Sequence, residues 1–268
     1  MISINGYPIG TNCYPNNERM FEKPIISGMF QTDEFTIDFK YGTDIDISIL
    51  IMTKKYLDDM FNNPKVTLRM KYVPYSRMDR YIDGYMFSLK YFCKLINDLN
   101  FHKVIVLDPH SNMTTALLDR CFEINIDQYL DKVFEQVKNI DYVFYPDKGS
   151  MDRYYKTIKT RRPSFYGDKK RDLNTGKIIS YEIVEYPDIQ GKDILIIDDL
   201  CAFGGTFLLA SEKLKEKGAN NIYLYVSHCE DSIYNGKLIK SGLVSKVFTT
   251  DSLFSDWSSS LICDVGNF

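Results

Sequence analysis

Two adjacent carboxylates, Asp198 and Asp199, close the aliphatic run of residues 194–197, and Gly204, Gly205 and the hydroxyl of Thr206 follow closely. Each feature suits one part of a sugar phosphate. Carboxylates after a buried strand accept hydrogen bonds from a sugar diol or hold a divalent cation that neutralises a polyphosphate. They repel a bare phosphate. Amides of a glycine-containing turn at a helix N-terminus attract one. A diol joined to a phosphate is therefore the ligand expected for ILIIDDLCAFGGTF. A helix cap at Asp199 or Thr206 with incidental glycines is the competing reading.

Other polar residues share that address. Asp108 and His110 follow the apolar run KVIVLDPH (103–110), and Asp147 follows YVFYPD. In open parallel sheets, ligands bind beyond the carboxyl ends of the strands, where all of these residues are expected.

The elements that must position them alternate between strand and helix, which predicts an α/β protein with mainly parallel sheets and flanking helices. FTIDFKY alternates like a strand, ISILIMTKKYL suits a helix, and VTLRMKYVPY (66–75) reads as a strand ended by Pro74. MFSLKYFCKLINDL (86–99) has helical spacing, with Phe87, Tyr91, Leu95 and Leu99 on one face. A second half starts near residue 128: helix YLDKVFEQVKNI, strand YVFYPD, a basic polar stretch over 153–180, strand DILIIDD, a helix over 206–217, then strands NIYLYVSH and KVFTTD. Gly218 stands where a helix C-cap is expected.

Composition narrows the function. The 268 residues carry a net charge of −3, which argues against nucleic acid as the main partner. No apolar run approaches the length of a membrane span, and MISINGYPIG lacks a signal-peptide pattern. The cysteines at 13, 93, 121, 201, 229 and 263 form no CxxC pair, so reduced thiols and a cytoplasmic setting are expected.

Five segments in order carry a resemblance that spans nearly the whole chain. ILIIDDLCAFGGT looks like the phosphoribosyl-pyrophosphate loop of type I phosphoribosyltransferases and ribose-phosphate pyrophosphokinases. YPNNE (14–18), VPYSRMDR (73–80), VIVLDPH (104–110) and YPDKGSMDR (145–153), with the KKR of 169–171, resemble pyrophosphokinase segments, and the resemblance implies a first half that the transferases lack. The resemblance implies two phosphoribosyltransferase-like domains: an ATP-side domain over 1–128 and a domain over 129–268 bearing the ribose-phosphate loop. It implies ATP as co-substrate, Mg²⁺, a ribose 5-phosphate-containing acceptor, and a homo-oligomer, a dimer at least.

It also implies residue roles. Tyr14 would stack on adenine, with Asn16 and Glu18 contacting the nucleotide from a neighbouring subunit. Arg77, Asp79 and His110 would hold ATP, with Arg77 suited to bidentate phosphate contacts. His110 and Asp147 would engage the metal. Lys169 and Arg171 would meet charge developing during transfer, on a stretch, RRPSFYGDKKRDLNTGK, with the composition of a mobile lid. Asp198, Asp199, Ala202, Phe203, Gly204, Gly205 and Thr206 would bind the ribose phosphate. His228 is a weaker candidate.

The loop departs from the family at Ala202 and Phe203, which stand where an aspartate and a threonine are usual. A bulky ring there is expected to alter the floor of the phosphate site. Three outcomes remain open: ribose 5-phosphate with altered contacts, a 5-substituted acceptor such as ADP-ribose, or a silent regulatory binder. HSNMTTALLD replaces a segment of the family's regulatory phosphate site, so the usual phosphate activation and ADP inhibition are not expected.

Overall fold

The computed structural model describes residues 1–16, 18–22, 33–156, 158–159, 162–171, 178–184 and 186–266, except for the side chains of residues 170, 171, 178 and 179. It divides into two compact units, Met1–Ile124 and Asn125–Phe268.

The first unit holds β1 (Ile2–Ile4), β2 (Tyr7–Pro8), β3 (Thr11–Cys13), β4 (Arg19–Phe21), β5 (Glu34–Phe39), α1 (Asp44–Phe61), β6 (Lys65–Met70), α2 (Ser88–Asp98), β7 (Lys103–Leu107), α3 (Asn112–Leu117) and β8 (Cys121–Ile124). One sheet runs β2-β1-β5-β6-β7-β8, and β3 pairs with β4 in a separate hairpin. From β5 to β8 the pairing is parallel; β1 runs antiparallel to both β2 and β5. At the start of α1 the Asp46 carboxylate accepts from the Gly42 and Thr43 amides, each at 2.8 Å. It thereby satisfies donors that precede the helix's own hydrogen bonding.

The second unit holds α4 (Asp127–Gln136), β9 (Tyr142–Tyr145), α5 (Lys148–Tyr154), β10 (Ser164–Arg171), β11 (Ile178–Val184), β12 (Ile194–Cys201), α6 (Gly205–Glu216), β13 (Ile222–Cys229), α7 (Leu238–Ser241), β14 (Lys246–Thr249) and β15 (Ile262–Asp264). The sheet order is β11-β10-β9-β12-β13-β14-β15. Only the β10–β11 pair is antiparallel. Gly218, at φ +88°, follows α6 as expected.

The expected α/β class with mainly parallel sheets is what the chain adopts, and four local expectations change. The strand expected over 66–75 stops at Met70; residues 73–78 turn instead, with Ser76 N bonded to Val73 O and Met78 N to Tyr75 O. On α2 the buried residues are Leu89, Phe92, Cys93 and Ile96, while Tyr91 is exposed. Of the expected stripe, Phe87 and Leu99 are buried and Leu95 packs against the core, so the change is confined to Tyr91, whose place on the buried face is taken by its neighbours. The expected lid is a strand where described: Ser164–Arg171 continues the sheet beside β9 and turns back along β11. Residues 161 and 172–177 of that segment lie outside the described residues. Finally, β12 does not end at its aspartates; pairing with β13 carries it to Cys201. Among the described residues, no helix is long and apolar enough to cross a membrane.

Candidate active site

In the second unit, three parallel strands deliver carboxylates and cations to one end of the sheet. β9 leads through Pro146 to Asp147, which caps α5 by accepting from Ser150 N at 2.9 Å. Lys169, on β10, forms an ion pair with that same Asp147 carboxylate. Burial alone would raise the Asp147 carboxyl, but the Lys169 ammonium and the Ser150 hydrogen bonds outweigh it and hold it below the usual range. Arg153, near the end of α5, places Nη1 3.4 Å from Asp199 Oδ2.

Asp198 completes the cluster. Burial first, then the charges of Asp199 and Asp147, push its carboxyl well above the ordinary value, against the opposing pull of Lys169 and Arg153. Three carboxylates answered by two cations do not all stay ionised easily in a half-buried site. An incoming diol or cation relieves that repulsion.

The phosphate end of the loop is set by backbone geometry. Gly204 caps α6 at φ +76°, and a Cβ there would come within 2.9 Å of Leu238. Glycine is required at that position on both counts. The first amides of α6, at Gly205 and Thr206, have no intrahelical partner and face the dipole's positive end. Gly236 lies so close beneath the loop that a Cβ on it would overlap the Phe203 carbonyl. Ala202 is half-buried, whereas the Phe203 ring is 60% exposed. Phe203 thus presents a large part of its surface to solvent.

In the first unit the sequence-predicted residues fall into two groups. Asp79 is buried and takes a bidentate contact from Arg80, with Nε at 2.7 Å and Nη2 at 3.1 Å. Burial alone would raise its carboxyl; the hydrogen bonds and charge of Arg80, with the Ser111 hydroxyl, hold it below the usual range. Arg77 is exposed on the same turn. Two non-glycine residues here adopt left-handed backbone: Tyr75 (φ +61°) and Asp108 (φ +36°). Such conformations persist where surroundings enforce them, and they concentrate at functional sites. The Tyr75 hydroxyl donates to Asp44 Oδ1 at 2.6 Å, which anchors the turn.

The second group lies on the β3–β4 hairpin. Tyr14 is exposed, its amide bonded to Glu18 O; Asn16 Oδ1 accepts from Glu18 N at 3.1 Å. Arg171 ends β10, but its side chain lies outside the described residues. His228, at the end of β13, is buried with Nδ1 2.8 Å from Ser252 Oγ.

Among the described residues, no group of three or more His, Cys, Asp or Glu side chains is arranged to enclose a metal ion. A magnesium ion carried on substrate phosphates needs only one or two protein carboxylates and keeps several waters. The carboxylates of Asp147, Asp198 and Asp199, which repel one another, supply more than that number of oxygen donors.

Three participants were not visible as such in the sequence. Arg153 carried a signal, since it ends the YPDKGSMDR segment. Gly236 and Tyr181 carried none. Tyr181 is buried on β11 and donates to Pro146 O at 3.0 Å.

Comparison with known proteins bears on the family and the fold. The chain is 30% identical over 225 residues to the ribose-phosphate pyrophosphokinase of Sulfurisphaera tokodaii, covering 81% of this chain and 75% of that protein. It is 28% identical over 218 residues to the enzyme of the same name from Sulfolobus acidocaldarius, covering 78% and 72%. No protein-family model matches. The crystal structure of phosphoribosylpyrophosphate synthetase from Mycobacterium smegmatis superposes with a TM-score of 0.76, covering 97% of this chain and 86% of that one at 16% identity. That likeness shows a shared fold.

Proposed function

The chain belongs to the ribose-phosphate pyrophosphokinase family, enzymes of the diphosphokinase type, and we propose on that footing that it transfers the β,γ-diphosphate of ATP to the anomeric hydroxyl of a ribose 5-phosphate unit. The anomeric oxygen bonds to the β-phosphorus as its hydroxyl proton passes to solvent, the bond from that phosphorus to the bridging α–β oxygen breaks, and AMP leaves with the electron pair. Such a transfer asks the protein for positioning and charge neutralisation rather than covalent participation.

The observation that carries this reading is the gathering of Asp147, Arg153, Lys169, Asp198 and Asp199 beside a glycine loop that opens a helix. Asp198 and Asp199 orient the ribose diol, and the amides of Gly205 and Thr206 with the Thr206 hydroxyl receive the 5-phosphate. Lys169 and Arg171 meet the charge that grows on the transferring group. Arg77, His110 and Asp79 serve the triphosphate in the first unit, the ATP side. Tyr14, Asn16 and Glu18 serve the adenine of a neighbouring copy in an oligomer, a dimer at least. Magnesium carried on the substrate phosphates would supply neutralisation of the triphosphate oxygens; within their own units, Asp147 and His110 are the residues that would serve it. The setting is the cytoplasm.

Ribose 5-phosphate is the leading acceptor. The exposed ring of Phe203 favours a second reading: an acceptor whose 5-phosphate carries a further group, such as ADP-ribose, with the extension packed on that ring. AMP release from ATP, followed with each acceptor in turn, tests both. Absence of AMP with every ribose phosphate sinks the transfer, and turnover with ADP-ribose well above that with ribose 5-phosphate selects the second acceptor.

A further inference from the structure

Two side chains of the β10–β11 hairpin reach the same two-residue turn. Lys169 and Tyr181 are directly opposite in the antiparallel register, and Gly167 pairs with Ile183. Directly opposite residues project from one face of a hairpin, and Gly167, two places along β10 from Lys169, lies on that face too. From this face Lys169 pairs with the carboxylate of Asp147, and Tyr181 donates its hydroxyl to the carbonyl of Pro146 at 3.0 Å.

The path of the phenol is cut to size. A Cβ at Gly167 would overlap the Tyr181 hydroxyl and come within 3.0 Å of the Pro146 carbonyl. The missing side chain of Gly167 is the space through which Tyr181 reaches the turn. Burial first, then the negative charges of Asp147 and Asp198, drive the phenol far above its ordinary pKa, so it remains a donor at neutral pH. The hydroxyl touches no group to which a reaction step has been given.

We propose that Tyr181 is a positioning residue: its bond to Pro146 sets the hairpin's distance from the Asp147 turn and so fixes where Lys169 stands. Because it acts through Lys169, this inference rests on the proposed role of Lys169 in turnover. Among the described residues β11 is the edge strand and β10 pairs with β9 only over Ser164, Phe165 and Tyr166. At Lys169, contacts with the Asp147 turn therefore hold the two strands to the rest of the sheet, and a displacement of about 1 Å at a charge-stabilising group costs up to ~100-fold in rate.

The test is steady-state kinetics on the full chain with Tyr181→Phe, which removes one oxygen, and with Gly167→Ala, which crowds the same oxygen off its carbonyl. Each should lower kcat about tenfold, with both KM values within about twofold of the parent. Introduced into Lys169→Ala, each should change kcat by less than about twofold, since the group it positions is gone. A Tyr181→Phe enzyme with undiminished kcat, or a tenfold loss that persists in the Lys169→Ala background, overturns the inference. Should Tyr181→Phe not fold, Gly167→Ala carries the same comparison. A Lys169→Ala enzyme that turns over normally would instead bring down the role of Lys169 itself.

Discussion

Lys169 on β10 and Asp147 at the head of α5 form an ion pair across two neighbouring strands of one parallel sheet. The lysine is thus held beside the acidic cluster before any substrate arrives. Lys169→Ala should lower kcat by about 100-fold or more, the scale of losing one preorganised charge-stabilising donor. ATP affinity should stay within about threefold, because a contact that strengthens in the transition state acts on turnover. Single-turnover rates together with equilibrium ATP titration check it; weakened ATP binding at unchanged kcat would contradict it.

Phe203 has a ring 60% exposed on a loop whose backbone is closely packed against Gly236 and Leu238. Phe203→Thr should therefore alter stability by no more than about 0.5 kcal/mol. If the ring stacks on an extended acceptor, the ratio of kcat/KM for ADP-ribose to that for ribose 5-phosphate should fall about tenfold, the lower end of what base–aromatic stacking contributes. An unmoved ratio would remove Phe203 from acceptor choice.

Asp198 carries a carboxyl raised above its ordinary value of 3.8 by burial, Asp199 and Asp147. The folded state then binds more protons than the unfolded state between that ordinary value and the raised one. Stability from this group is full below the ordinary value and is lost as pH rises to the raised one. Asp198→Asn removes the loss, so the variant should gain stability over the parent as pH rises through that window, while its turnover falls. Urea unfolding of both proteins across pH 4–8 reads the difference; a gap that narrows with rising pH would contradict the sign.

Tyr75 holds a left-handed backbone two residues before Arg77, with its hydroxyl bonded to Asp44 at 2.6 Å. Tyr75→Phe removes the anchor and leaves the ring beside Phe92. The acceptor carboxylate is exposed, so solvent screening reduces the contribution of this hydrogen bond to about 0.5–1 kcal/mol. Its loss should appear as lower thermal stability and as a several-fold rise in the KM for ATP, because the turn carries Arg77 and Asp79. A stability change without any change in KM would separate the turn from nucleotide binding.

Much of the fold was legible because apolar period and turn chemistry are local. The buried runs at 103–107, 142–145 and 194–201 are strands, and Gly218 ends α6 where expected. Where the local pattern was degenerate it misled. The segment before residue 99 is apolar on two overlapping stripes, and only the sheet beneath α2 chose Leu89, Phe92, Cys93 and Ile96 over Tyr91. The basic stretch around Lys169 has a polarity that matches solvent, and its strand was not legible there: pairing with β9 and β11 gives the backbone its hydrogen bonds in the sheet.

The sequence by itself determined the chemical kind of this protein: adjacent aspartates before a glycine loop, in company with four further segments in order, define a family and a ligand class. Residue types and short spacings carry that information. Tertiary structure alone decided the partnerships: Lys169 with Asp147, Arg153 with Asp199, Tyr181 with Pro146, and the exposed Phe203 with Gly236. These pairs are far apart in the chain; the first three meet because β11, β10, β9 and β12 lie side by side, and Phe203 meets Gly236 because β12 and β13 are neighbours. Their charges and donors act over a few ångströms, a range that sequence separation does not measure and sheet order does.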